Sequence, residues 1–486
     1  MGWRRARAVV LASAGALVLP GLLLTGGVRT ARALPRAAAP AAESWQRARP
    51  LRLPAPSPGQ LASVNDIACP APGDCVAVGG FDDGPGNDTI AAFTASDVNH
   101  RWEPAAAAYG TTGNSDPYLE TVSCSSVGNC VAGGYDGLGA GLIVTEVKGS
   151  WVRASYFPYS YAEVYSVSCP PKVSGACAAG GYDFSDEHGT AQAWLLYETA
   201  NGRWRTLSGG GGLAALNHSF ASVTDVSCPS AGNCAAGGFY TDARGKQQAF
   251  VLTESKGVWG KAREVAGSLN SAGYAEIDAV SCASAGNCLA VGSYERTAKP
   301  FTSSQGFEVT ERNGDWLPAR EVPGLGRLNT GGSAEAYAVS CVPARGPLNC
   351  AIGGTFAYQN GNGPAFVDQV RNGAWQASPT ALEVGSYWAQ VSTVSCPAAG
   401  DCAAGGFYNT GTPDQGTSQA FVVNLENFRW TPAEKAPGTG ALNSGGQAAL
   451  TAVSCPSAGF CAAGGYYMVQ GRSYTSLPFT LDGAAK

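Results

Sequence analysis

Apolar residues along this 486-residue chain fall in short alternating or continuous stretches, cut every few positions by Gly or Pro, with no sustained 3.6-residue period. That pattern predicts strands and excludes a helical core. One stretch shows the unit clearly. Val223-Thr224-Asp225-Val226-Ser227-Cys228 is β-prone and ends at Pro229, and a glycine-bearing turn to Asn233 leads into a second strand from Cys234 to Tyr240. Thr241 to Gln248 is a polar loop, and Ala249 to Glu254 is a third strand. Ser255-Lys256-Gly257 then turns the chain into Val258-Trp259, which opens a fourth strand through Val265. Gly267 to Gly273 bridges to the next copy.

The unit recurs eight times, each copy marked by a cysteine pair: Cys69 and Cys75, Cys124 and Cys130, Cys169 and Cys177, Cys228 and Cys234, Cys282 and Cys288, Cys341 and Cys350, Cys396 and Cys402, Cys455 and Cys461. The mean period is about 55 residues, and four short strands per repeat of that length describe a propeller blade. A β-solenoid has shorter coils without a four-strand sheet. The fold class expected is therefore all-β, an eight-bladed β-propeller. Blades begin near Val64, Leu119, Val164, Val223, Ile277, Ala336, Val391 and Leu450 in one domain spanning 44–482. Eight of the eleven tryptophans open the fourth strands: Trp45, Trp102, Trp151, Trp204, Trp259, Trp316, Trp375 and Trp430. Trp45 precedes the first cysteine pair, and no tryptophan follows the last. A strand over 44–53 is thus expected to complete the last blade and close the ring without an open edge.

Compartment follows from the N-terminus. Arg4, Arg5 and Arg7 precede an apolar stretch from Ala8 to Val28 and a small-residue site at Ala31-Arg32-Ala33, which predicts a signal peptide over 1–33 and a linker over 34–43. An uncleaved anchor is the alternative. Export suits disulfides. Zinc sites favour two to four residues between cysteines, whereas the pairs here enclose five, seven or eight, with only His100, His188 and His218 as imidazoles. Each pair is therefore expected to bridge the end of the first strand of its blade to the start of the second, worth about 2 kcal/mol per loop in the chain-entropy model. The formal charge of −5, with 14% charged residues, argues against nucleic acid or anionic membrane as partner. A secreted monomer is expected.

The turn segments Thr253 to Trp259 and Thr310 to Trp316 resemble degenerate Asp-box (BNR) turns of sialidases and related propellers, without the motif's Asp or its Thr before Trp. The phrase from Val226 to Phe239 resembles a repeat of secreted actinobacterial proteins of unassigned role. These resemblances imply a propeller fold and export, and bring no catalytic residue.

Candidate chemistry is sparse. No Gly-x-Ser-x-Gly or His-Glu-x-x-His motif occurs, and most arginines fall on fourth strands at the outer rim. Asp82, Asp83 and Asp88, beside Gly84, Gly86 and Asn87, form a calcium-like loop. A second acidic cluster joins Asp183 to Asp186, Glu187 and His188. The structural reading of both is turn chemistry. Nearly every second strand ends in aromatic residues: Phe81, Tyr135, Tyr182, Phe239-Tyr240, Tyr294, Phe356, Phe407-Tyr408 and Tyr466-Tyr467. Repetition in every blade argues for packing, but the second ring of each doublet (Tyr240, Tyr408, Tyr467) is expected to face away and offer a surface for sugars. Linkers carrying Leu216-Asn217, Leu269-Asn270, Leu328-Asn329 and Leu442-Asn443 share an end of the ring with the variable loops, the end expected to meet ligand. The function expected is a non-catalytic binding or structural module for extracellular glycan or a protein surface, with calcium the one cofactor considered. The alternative is a carbohydrate-active enzyme, a glycoside hydrolase or lyase, using Asp82, Asp83, Asp183 or Glu187.

Overall fold

The computed structural model describes residues 43–54, 61–82, 90–111, 116–157, 161–184, 190–297, 303–385, 387–411, 416–471 and 475–485. The expected signal peptide over 1–33, most of the expected linker over 34–43, Asp83, Asp88, Asp186, Glu187 and His188 lie outside these. Eight antiparallel sheets follow one another, with strands in chain order from the ring's centre outwards in blades 1 to 7 and an N-terminal outer edge on blade 8. In blade 4 these are Ala221–Ser230, Asn233–Thr241, Gln247–Ser255 and an outer strand in two pieces, Val258–Trp259 and Arg263–Glu264. The innermost strands of the other blades are Ala62–Ala71, Tyr118–Ser126, Ala162–Ser168, Ala275–Ser284, Ala334–Cys341, Ala389–Ala398 and Ala448–Ser457. Between sheets lies a core in which Phe93, Phe250, Phe307, Phe366, Phe421 and Phe479 are fully buried.

The repeated phrase is explained position by position. Its cysteines pair within each blade: Cys69 with Cys75, Cys124 with Cys130, Cys169 with Cys177 and Cys228 with Cys234 in the first four. Cys282 joins Cys288, Cys341 joins Cys350, Cys396 joins Cys402 and Cys455 joins Cys461 in the rest. Cα atoms of the partners are 3.9–4.1 Å apart.

The position of the bridges departs from the expected strand ends. In blades 1, 2, 4, 5, 7 and 8 the first strand runs two residues past its cysteine, and the second begins one residue before Cys75, Cys130, Cys234, Cys288, Cys402 or Cys461. A tight turn with glycine at positive φ, such as Gly73 or Gly232, closes the hairpin beyond the disulfide. Only in blade 6 do Cys341 and Cys350 end one strand and open the next. Cys169 and Cys177 lie just outside theirs, in the blade whose bridged loop carries an insertion.

The serine before each first cysteine reaches the neighbouring blade. Its Oγ accepts from the backbone N–H of the next first cysteine at 2.8–3.0 Å in seven junctions, Ser227 to Cys282 among them. At the eighth junction Ala68 stands in the serine's place and supplies no hydroxyl to Cys124. The Gly-Gly pair permits close approach: a Cβ on Gly238 would meet Ser222 O at 2.0 Å, and one on Gly237 would meet Ile277 Cγ2 of the next blade at 2.5 Å.

Asparagine before the second cysteine ties two hairpins together. Asn129, Asn233, Asn287 and Asn349 each accept from the N–H of a third-to-outer-strand turn. Two of those turns, at Lys256 and Asn313, lie in the segments compared above with Asp-boxes. They are two-residue hairpins such as Lys256-Gly257 and Asn313-Gly314, with positive φ at both residues, the twist that matches paired strands.

Tryptophan is a clamp between blades. Nε1 of Trp45, Trp102 and Trp316 donates to Asn424, Asp482 and Thr253, each on the third strand of the preceding blade. The ring closes through two contacts. Inner strands of blades 8 and 1 join by Thr451 Oγ1 to Val64 O at 2.6 Å and by Cys69 N to Ser454 Oγ. Glu43–Trp45 and Arg49–Pro50 pair with Thr475–Ala485, supplying the outer edge of blade 8.

Another difference from the sequence reading concerns the linkers, where short helical turns form at Ser208–Ala215, Leu325–Leu328 and Thr439–Leu442. The following asparagines are buried, and Nδ2 of Asn217, Asn270, Asn329 and Asn443 donates to the first carbonyls of the third-strand region in the same blade. These side chains pin linkers rather than meet ligand.

A missing junction hydrogen bond is worth about 1 kcal/mol. Ala68→Ser should therefore raise stability by about that amount in a urea melt, and Ser227→Ala should lower it by at least as much. Removing residues 43–53 takes away the buried Trp45 and Leu51 and should cost several kcal/mol; an unchanged melting midpoint would refute the closure role.

Candidate functional site

Every inner strand carries a β-bulge at the same place, four residues before its first cysteine. A bulge frees one residue from the ladder and re-aims its side chain. The eight bulged residues are Asn65, Glu120, Tyr165, Thr224, Asp278, Tyr337, Ser392 and Thr451. The residue before each is fully buried in the sheet packing, whereas all the bulged ones are at least partly exposed on the ring's inner surface.

In three blades the bulged side chain ties its blade to the next. Asn65 Nδ2, Thr224 Oγ1 and Thr451 Oγ1 donate to the carbonyls of Leu119, Ile277 and Val64. Glu120, Tyr165, Asp278 and Tyr337 depart from that chemistry, and they gather polar groups around them.

The first gathering spans blades 2–4. Tyr118 stacks on Tyr135 with centroids 5.7 Å apart, Tyr165 meets Tyr182 at 5.5 Å, Tyr182 meets Phe220 at 5.4 Å, and Phe220 stacks on Phe239 at 5.5 Å. Most of these rings are half-buried, and Tyr165 is exposed. Among them lie Glu120 and Glu163. Burial, reinforced by Glu163, pushes the Glu120 carboxyl up to about 7. Burial likewise pushes the Tyr135 hydroxyl up to about 12, with both glutamates adding.

A second gathering spans blades 4 to 6. Gln247 Nε2 and Tyr274 Oη donate to the two oxygens of Glu276 at 3.1 and 3.3 Å, and Tyr337 Oη donates to Glu335. Burial, then the charges of Glu276 and Glu335, holds Asp278 well above the usual carboxylate range. Among the described residues no Lys or Arg offsets the charges of Glu120, Glu276 or Asp278. Among the described residues no group of three or more His, Cys, Asp or Glu is placed to share a metal ion. Half-exposed rings offer flat apolar faces, and carboxylates accept from hydroxyls. The combination suits an uncharged, hydroxyl-rich ligand more than an anion.

The residues singled out from the sequence stand elsewhere. Tyr240 and Tyr467 are only 3% and 4% exposed, and Tyr408 packs half-buried against Phe421. In the Phe239-Tyr240 and Tyr466-Tyr467 doublets strand alternation sends the first ring, not the second, to the half-exposed side, so stacking of sugars on Tyr240 or Tyr467 is corrected to core packing. Tyr240 Oη donates to Glu264 Oε2 at 2.6 Å. Asp82 ends the second strand of blade 1, its backbone paired with Ile90, while Asp83 and Asp88 fall outside the described residues. Asp183 is buried at the end of a second strand. In blade 2 the equivalent Asp136 accepts from Leu138 N and Ala140 N, which is turn chemistry. The second cysteines of the pairs, Cys75, Cys130, Cys177, Cys234, Cys288, Cys350, Cys402 and Cys461, are all buried in the core. They are structural staples and line neither gathering. Glu120, Glu163, Glu276, Asp278 and Glu335 escaped the sequence reading. Their signal was present at four and six residues before the first cysteine, where some copies carry an acid or Tyr and the others a small or neutral polar residue such as Ser63, Ser222 or Thr224.

No protein-family model matches the chain, and no curated protein matches it. Among solved structures it is similar to a protein of unknown function from Dyadobacter fermentans, at 10% identity and TM-score 0.40 over 91% of this chain and 99% of that one. It is also similar to Sqt1 from Chaetomium thermophilum, at 13% identity and TM-score 0.47 over 87% and 95% of the two chains. Such distant likenesses carry no functional information.

Asp66 and Asp225 follow the bulge in blades 1 and 4 and accept from Val122 N and Val280 N of the next blades at 2.8 and 2.7 Å. Burial raises both carboxyls to about 6 from an ordinary 3.8. A raised carboxyl holds its proton more tightly in the folded state. Its contribution is therefore complete below about pH 4 and lost as pH climbs through 6. The melting temperature should fall between pH 4 and 7, and Asp66→Asn with Asp225→Asn should flatten that slope; a rise over this range would contradict the assignment.

Proposed function

We propose that this chain is a secreted binding module that holds an uncharged extracellular glycan against the channel lining of blades 2–4. The observation that carries the reading is the half-exposed aromatic band from Tyr118 to Phe239, with Glu120 and Glu163 set among its rings. The rings would pack against the C–H faces of sugars, and the carboxylates would accept from hydroxyls. Eight disulfides suit an oxidising compartment, and the signal-like N-terminus and the resemblance to secreted repeat proteins fit export.

One observation favours a second reading. Burial, with Glu163 beside it, pushes Glu120 to about 7, the kind of protonated carboxyl that a glycoside hydrolase uses as its acid.

Neutral oligosaccharides on an array, followed by calorimetry of the best binder, test both. Tyr165→Ala should weaken binding at least tenfold with little change in melting temperature, since this ring is 38% exposed. Glu120→Gln should keep measurable affinity, and no shortened sugar should accumulate. Release of products that stops in Glu120→Gln would favour the hydrolase instead, and failure of every neutral glycan to bind would end the proposal.

A further inference from the structure

The seam that closes the ring contains a cleft of about 260 Å3 lined by Arg47, Arg49, Arg52, His100, Arg101 and Trp102 among others. One wall is the N-terminal segment and the other is the turn and outer region of blade 1. Residues 480–482 form part of the lining between them. The walls are fixed: Arg49 pairs with Thr480, Ala105 N donates to Arg52 O at 2.8 Å, and the His100 ring packs edge-on to Phe460. Trp102 is held by its Nε1 bond to Asp482 Oδ1.

Charge sets this cleft apart from the rest of the molecule. The outer-strand pieces of blades 4, 5 and 7, Arg263–Glu264, Arg320–Glu321 and Glu434–Lys435, each pair a base with an adjacent acid. The corresponding piece of blade 8 is Arg49–Pro50, with no acid. Among the described residues the ion pairs are Arg296–Glu321 and Arg320–Glu308, so none of the four cleft arginines has a carboxylate within salt-bridge reach. Two nearby acids are already engaged or hidden: Asp482 accepts from Trp102, and Asp97 is 2% exposed behind the turn. Glu103 is the exposed acid of the lining. Four exposed arginines thus converge in a chain whose formal charge is −5.

We propose that this cleft is a subsite for a uronic-acid residue of an acidic polysaccharide. Guanidinium forks match the planar carboxylate in bidentate geometry. The half-exposed Trp102, with Pro50 and Pro104, provides apolar walls for a pyranose ring, while the exposed Gln46 and Glu103 supply hydroxyl partners. The size is just below the usual small-molecule range, which suits one sugar unit rather than a long buried stretch. The site lies at the outer rim and stands independently of the channel reading.

Affinity electrophoresis in polygalacturonate, with neutral dextran and dextran sulfate as comparison gels, is the test. The mobility of the full chain should be retarded by polygalacturonate and not by dextran, and the effect should fade as salt rises. Arg49→Gln with Arg101→Gln should weaken retardation at least tenfold. Both side chains are exposed, so an unchanged melting temperature confirms a folded variant. Arg244→Gln, in a distant loop, and Tyr165→Ala in the channel should leave retardation intact. Equal retardation of the double variant, equal binding to dextran, or binding to dextran sulfate alone would each overturn the proposal.

Discussion

The hydroxyl-to-amide bond between neighbouring inner strands is the constraint on which this structure depends. A propeller blade holds itself together through its own ladder, but nothing in that ladder fixes the angle to the next blade. Here the serine before each first cysteine reaches across and engages the backbone of the following copy. The disulfide then holds that same backbone to its own second strand, as Cys282 is held to Cys288. Position and covalent staple therefore act on one residue, and the spacing between sheets becomes small enough that only glycine fits at Gly237, while Gly238 has no room for a Cβ against Ser222 of its own blade. The tryptophan clamps repeat the device at larger radius.

Because the repeated phrase is occupied with holding blades together, little of it is free for ligand. Chemistry collects where copies differ. The bulge is the principal such place, since its residue leaves the ladder without disturbing the buried residue before it. Thr224 and Thr451 use that freedom for another tie between blades, whereas Glu120 and Asp278 use it to hold carboxyls in a poorly solvated lining. At the outer seam a different departure operates, where an N-terminal segment rich in arginine replaces a charge-balanced outer strand.

The scaffold was legible in the sequence because its determinants are local and repeated. Cysteine spacing, the Gly-Gly pair and the tryptophan preceding the first copy specify sheets, staples and blade number without any long-range information. Where strands stop was less legible: the proline after most first cysteines looked like a strand end, yet the ladder resumes beyond it in Cys69–Cys75 and Cys396–Cys402 hairpins. The site was harder still. A strand's alternation is readable, but a bulge reverses it for one residue, so Glu120 and Tyr165 read as ordinary strand positions. The same alternation, counted from the wrong ring, misplaced Tyr240 and Tyr467. Leu-Asn linkers looked like ligand-facing segments because they share an end of the ring with the variable loops; here the asparagine amide is spent on third-strand carbonyls. Convergence of arginines at the seam depends on residues 47–52 lying beside residues 100–104, which no local pattern reveals.

Closure by Glu43–Trp45 against residues 483–485 imposes an order on folding. Residues 43–45 are made long before their partners at 483–485, so blades 1 to 7 can form one by one while blade 8 waits. Until then two unpaired edges coexist on the nascent chain, the situation in which misassembly between molecules competes with folding. Local disulfides keep the intermediate blades from unravelling during that interval, and so the staples serve the kinetics of maturation as well as the finished ring.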